Sequence, residues 1–190
     1  MKLKILSFAL ALFTLASCTQ EQVEQKLGLR EQTTKKLSEM AAAGKLSTVE
    51  YTITKMVKAS DDSTWKIGDR KILFSCNAYL EGGIDMARYD ASKVIIDETT
   101  KSISLTLPKA ELISFNMPYN EVKLQYEKVT GLRTTFGADE RNHALQLGES
   151  SIRKSVEELG ILADAEKNAR QFFTSMLKQL GYQTVTVKFE

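Results

Sequence analysis

Histidine is nearly absent from this chain: His143 is the single one in 190 residues. A Ser-His-Asp or Cys-His arrangement would have to use it, and a zinc site ordinarily draws on more than one imidazole or thiolate. His143 lies early in a helical stretch, on its polar side if Leu145 faces inward, and reads as a solvated surface residue. Cysteine is scarce as well, limited to Cys18 and Cys76. There is no glycine-rich phosphate loop and no dinucleotide fingerprint, since Gly82-Gly83 lacks both the spacing and the following helix. Asp61-Asp62 and Asp97-Glu98 lack the ligand spacing of a calcium loop and read as solvated turns. Beyond the first residues no window approaches the about 20 apolar residues of a bilayer-crossing helix. Internal repeats and low-complexity linkers are missing, and nothing implies a cofactor. An excess of one charge is missing too: 26 basic residues stand against 24 acidic ones. No basic run marks nucleic acid or anionic lipid as a partner.

What is present begins with an export signal. Lys2 and Lys4 form a basic start, and Ile5 to Leu15 is an apolar run of eleven residues. That run is too short for a permanent span, and it leads into Leu15-Ala16-Ser17-Cys18. Small residues before a cysteine at this place form a lipoprotein cleavage site. Cleavage between Ser17 and Cys18 is expected, with Cys18 taking the lipid. Two or three acyl chains hold a protein stably, at about 0.8 kcal/mol per buried CH₂. Thr19 in place of an aspartate, and Gln20-Glu21 in place of an acidic run, point to the outer membrane with the domain facing the periplasm. Removing Lys2 and Lys4 leaves 24 basic residues against 24 acidic, so the mature chain is formally neutral. Membrane attachment is then expected from lipid, with an envelope protein as a further candidate partner and no nucleic acid.

The organisation expected is residues 1–17 as leader, 18–44 as lipidated N-terminus and tether helix, and 45–190 as one α+β domain. In the tether, Thr19 and Gln22 are spaced as a capping box. Val23, Leu27, Leu37 and Ala41 make a narrow stripe with Arg30 and Thr34 on the same face, which fits a partly docked stalk. From Leu46 the period becomes two. Val49, Tyr51, Ile53 and Val57 alternate with polar residues. Lys71 to Glu81 alternates Ile72, Phe74, Cys76, Ala78 and Leu80 on one face. Cys76 therefore reads as a small buried hydrophobe with no disulfide partner. Trp65 to Ile67 reads as a short strand, Val94 to Ile96 and Ser102 to Leu107 as a hairpin, Leu112 to Met117 as an edge strand, and Glu121 to Thr130 as a strand or a helix. Two helices follow, Asp139 to Leu159 and then one running to Leu180. Tyr182 to Glu190 is a closing strand. The fold class is α+β: a mostly antiparallel sheet of five to seven strands packed by two C-terminal helices.

With these pieces in hand the chain resembles the uncharacterised bacterial family catalogued as domain of unknown function 4230. The matching stretches are Leu46-Ser47-Thr48-Val49-Glu50-Tyr51, Tyr79-Leu80-Glu81-Gly82-Gly83-Ile84-Asp85, Leu105-Thr106-Leu107-Pro108-Lys109-Ala110 and the ending Gly181-Tyr182. The resemblance implies a lipoprotein or an N-terminal membrane anchor. It implies no activity and transfers no catalytic residue.

Within the domain, Glu81-Gly82-Gly83-Ile84-Asp85 with Arg88 is the candidate ligand-binding loop. Paired glycines let a backbone approach a ligand, and the carboxylates with Arg88 and Asp90 nearby suit a cation or acid–base work. The same residues also fit a plain turn, with Asp85 satisfying loop amides. Two functions follow. One is a membrane-tethered, non-catalytic binding or interaction module. The alternative is an envelope hydrolase using Glu81 and Asp85, with Asp90 as a further acid.

Overall fold

The computed structural model describes residues 28–61, 67–156 and 158–190. The leader, Ser17-Cys18, the capping pair Thr19 and Gln22, Val23, Leu27, Asp62 and Trp65 lie outside the described residues.

Helix α1 (Leu29–Ala43) ends at Gly44, whose φ of +84° turns the chain and whose N–H donates to the carbonyls of Met40 and Ala41. It buries Thr33 and Leu37, with Leu29 and Met40 packed on the same core. This part of the expected tether helix is therefore docked. Its buried stripe runs through Thr33 instead of Thr34, because the Thr33 hydroxyl meets the hydroxyl of Tyr182 at 3.1 Å.

Strands β1 (Lys45–Asp61) and β2 (Arg70–Asp85) form a long antiparallel hairpin. β2 is the centre of the larger sheet. β1 runs along one side of it. On the other side β6 (Lys123–Val129) covers its first half and β5 (Glu111–Asn116) its second. A smaller sheet holds β3 (Ile95–Asp97), β4 (Ser102–Leu107) and β7 (Thr184–Phe189). The expected α+β class and seven strands are there, divided between two sheets. β3 and β4 are a hairpin, but β7 lies parallel to β4. Parallel neighbours need a crossover. Helices α2 (Ala138–Lys154) and α3 (Ile161–Leu180) lie between them in the chain.

α3 is the spine of the first core. Ala165, Ala169, Phe173 and Leu177 are fully buried there, and the helix packs against β1, β2 and β7. Each large one contributes about 1.5–3 kcal/mol. α2 covers the far half of the hairpin, where Ala144, Leu145 and Ile152 meet Val57, Ile72 and Phe74 in a second core. α2 stops short of the expected Leu159, which is exposed, and Gly160 at φ +72° separates the two helices. β6 is a strand whose Leu124 and Tyr126 are about half exposed. The register slips beside Leu73 and Phe74, and β6 lies at the edge of the sheet.

Gly82-Gly83 does not break β2, which continues to Asp85. Both neighbours bulge around the pair: β1 between Ser47 and Val49, β5 between Leu112 and Ser114. A Cβ on Gly82 would stand 2.9 Å from the Ile161 side chain, and one on Gly83 would stand 2.1 Å from the Leu46 carbonyl oxygen. The glycines let a helix and a neighbouring backbone come close. The bulged Thr48 is tied to α3 twice: its hydroxyl donates to Ala165, and Asn168 donates to its carbonyl.

Candidate functional site

The most distinctive chemistry lies at the open end of the β1–β2 hairpin. Asp61 ends β1 and stands opposite Arg70, which begins β2. Arg70 shares the phase of Ile72 and Phe74, so its side chain enters the core side of the sheet and is 8% exposed. Burying a cation there requires partners. Asp61 accepts from Nη2 at 2.7 Å, and Glu140 accepts from Nη1 at 3.1 Å and Nη2 at 2.7 Å. Glu140 sits at the third position of α2 and also accepts from the Gly137 N–H at 2.8 Å, which caps the helix. Arg133, 5% exposed, donates to the same Asp61 oxygen, Oδ2, that accepts from Arg70. The Arg70 guanidinium lies 4.6 Å above the Phe136 ring, within cation–π range.

Two cations and two anions thus interlock. Hydrogen bonding from Arg70 holds the Asp61 and Glu140 carboxyls below the usual carboxylate range, and these acceptors raise Arg70 further. Two donor atoms are left over: Arg70 Nε and Arg133 Nη1 are buried and have no hydrogen-bond partner among the described residues. Beside the cluster, between β1 and α2, a groove of about 730 Å³ has Val57, Phe136, Ala144 and Leu147 as its apolar lining, with Arg70, His143 and the carboxylates of Asp61, Asp139 and Glu140 on its polar side. A second hollow of about 560 Å³ touches Arg70, Arg133 and Glu140 from the other side. An apolar lining next to a few oriented polar groups suits a ligand with an apolar body and a hydrogen-bonding end.

Sequence reasoning missed this cluster. Asp61 is not a solvated turn residue but the shared anion of two arginines. One signal was available: Arg70 occupies the 70-72-74-76 phase of an otherwise apolar face. Nothing local announces that Glu140 and Arg133 would meet it. His143 is exposed, on the groove wall. Cys76 is buried in the sheet, donates to the Lys55 carbonyl at 3.4 Å, and has its thiol pushed up by burial.

The residues singled out from the sequence are placed elsewhere. Glu81 stands opposite Glu50 across the hairpin, and Gly82 and Gly83 are packing positions in the strand. Asp85 accepts from the Ala87 N–H at 3.1 Å, capping a 3₁₀ turn, and Asp90 caps the next turn at Ser92. Arg88 pairs with Glu111 at 3.1 Å. Asp97 is likewise a turn cap, accepting from the N–H groups of Thr99 and Thr100. Among the described residues no group of three or more His, Cys, Asp or Glu side chains is placed to hold a metal ion.

The fold and its arginine-centred groove define an α+β domain with a polar cluster at one end of its main sheet. Residues 38–187 match the model of a family described as "Protein of unknown function (DUF4230)", and the chain belongs to that family. No curated protein and no solved structure matches the chain.

Proposed function

We propose that this protein is a lipid-anchored envelope protein, held by Cys18 in the outer membrane and facing the periplasm, whose domain is a non-catalytic binding module. The groove between β1 and α2 is its ligand site. The observation that carries the binding reading is that groove of about 730 Å³, lined in part by Arg70, whose buried Nε has no partner among the described residues. The anchor reading is supported by Leu15-Ala16-Ser17-Cys18 directly after an eleven-residue apolar run.

Two measurements test it. Radiolabelled palmitate fed to cells should label the wild type and not Cys18→Ala, and equal labelling of both sinks the anchor. Native mass spectrometry of protein purified from its own envelope in mild detergent should show a bound small molecule. Leu147→Trp, which fills the groove from an exposed position, should lose that molecule. An empty wild type, or equal occupancy in the variant, sinks the groove.

A further inference from the structure

Antiparallel register assembles a basic face that chain order hides. Residues directly opposite one another across the ladder point to the same side of a sheet. One row of the large sheet is Ser60, Lys71 and Lys128; the next is Lys58, Leu73 and Tyr126; the third is Met56, Ser75 and Lys123. This is the face away from Ile72, Phe74, Cys76 and the helices. Strands about 4.8 Å apart and alternate residues about 6.8 Å apart put the four lysines in a patch of roughly 10 by 14 Å. That is close to the Debye length of about 8 Å, so their fields add.

All four lysines are exposed, and none makes an ion pair among the described residues. The acids near them in sequence offset only part of this charge. Asp61 and Glu127 are engaged by Arg70, Arg133 and Arg141. Glu121, at one end, accepts from Tyr79 and Asn77, and Asp69 lies one step beyond Lys71 at the other. Between the lysines, Met56 and Tyr126 are about half exposed.

We propose that this face docks on the anionic headgroups of the membrane that holds the protein. The patch is exposed, and its four lysines outnumber the two acids, Asp69 and Glu121, at its ends. Its lysine stems, Met56 and Tyr126 match a headgroup layer, where charged tips stay wet and apolar bodies settle inward. Each cation near an anionic surface adds to the attraction. The inference rests on the lipid-anchor reading: Cys18 to Leu29 is eleven residues, reaching at most about 38 Å extended, enough for the tethered domain to lie against its own membrane. Tethering also raises the effective concentration of that surface, so a modest attraction suffices.

The test uses the mature chain Cys18–Glu190 made without lipid, which contains every described residue. It should float with vesicles rich in phosphatidylglycerol and not with vesicles of phosphatidylcholine alone. Replacing Lys58, Lys71, Lys123 and Lys128 together by glutamine should lower the bound fraction by about tenfold or more, as should added salt. Replacing Lys36, Lys101, Lys109 and Lys178 changes the net charge equally and should leave binding within about twofold, since those lysines lie elsewhere. Thermal melts check that both variants fold. Equal loss in the two variants, absence of wild-type flotation, or binding to soluble polyglutamate without flotation overturns the proposal. Because no lipid is attached, a negative palmitate result does not alter this readout, and the two failures are distinguishable.

Discussion

Arg70 and Glu140 meet in a two-armed ion pair across 70 residues of chain, with Nη1 to Oε2 at 3.1 Å and Nη2 to Oε1 at 2.7 Å. The pair joins the first residue of β2 to the first turn of α2, so the second core is closed at its open end by charge as well as by apolar packing. Planar bidentate geometry is what a guanidinium supplies and an ammonium does not.

This cluster makes stability depend on acid. Asp61 and Glu140 titrate below their ordinary range in the fold, chiefly through hydrogen bonds from Arg70. Groups whose folded pKa is depressed stabilise the protein above their unfolded values, about 3.9 for Asp and 4.3 for Glu, and that stability is lost as pH falls below them. Glu140 is 45% exposed and Asp61 29%, so water screens more of the Glu140 share. Thermal melts between neutral pH and the acid range should show a falling midpoint. Arg70→Gln should melt lower at neutral pH and show a shallower fall in acid, and Arg70→Lys should fall between the two proteins. An unchanged acid slope in Arg70→Gln would show that the cluster does not carry it.

The glycine pair predicts two different costs. At Gly83 a new Cβ meets the Leu46 carbonyl, which is backbone in the paired strand; at Gly82 it meets the side chains of Ile161 and Val49. Overpacking a well-filled site costs about 1–3 kcal/mol, and more where the obstacle is rigid. Gly83→Ala should therefore lose more stability than Gly82→Ala in urea unfolding. The reverse order would mean that the strands spread more easily than α3 moves.

Docking of α1 is tested at Tyr182→Phe. Its hydroxyl meets that of Thr33 at 3.1 Å, and Thr33 keeps a second bond to the Leu29 carbonyl at 2.8 Å. One partner is lost without leaving Thr33 bare, so the cost should be near 1 kcal/mol. Amide exchange over Leu29–Ala43 should accelerate in that variant, while exchange in β2 changes little. Unchanged exchange in α1 would show that Leu37 and its neighbours hold the helix without the hydroxyl pair.

Much of the fold is legible in local pattern. Alternation through Ile72, Phe74, Cys76, Ala78 and Leu80 gives the central strand and its buried face, and the stripe through Ala165, Ala169, Phe173 and Leu177 gives the core-facing helix. These signals are strong because each residue's burial follows the period of its own element. The end of β2 misleads for the opposite reason. Gly82-Gly83 resembles a turn locally, yet its glycines answer to Leu46 and Ile161, which are distant in the chain. The site is the least legible part. Arg70 out of character on an apolar face is the one local clue, and its anions come from β1 and α2.

By itself the sequence determined the α+β class, the principal strands and helices, the burial of Cys76 and membership of the family, because periodicity and motif are local properties of the chain. Tertiary structure decided which strands share a sheet, that β7 lies parallel to β4, that Arg70 and Arg133 share Asp61, and that Lys58, Lys71, Lys123 and Lys128 stand on one face. Those are relations between residues far apart in sequence, set by register and crossover, and a composition of 26 basic and 24 acidic residues holds no trace of them.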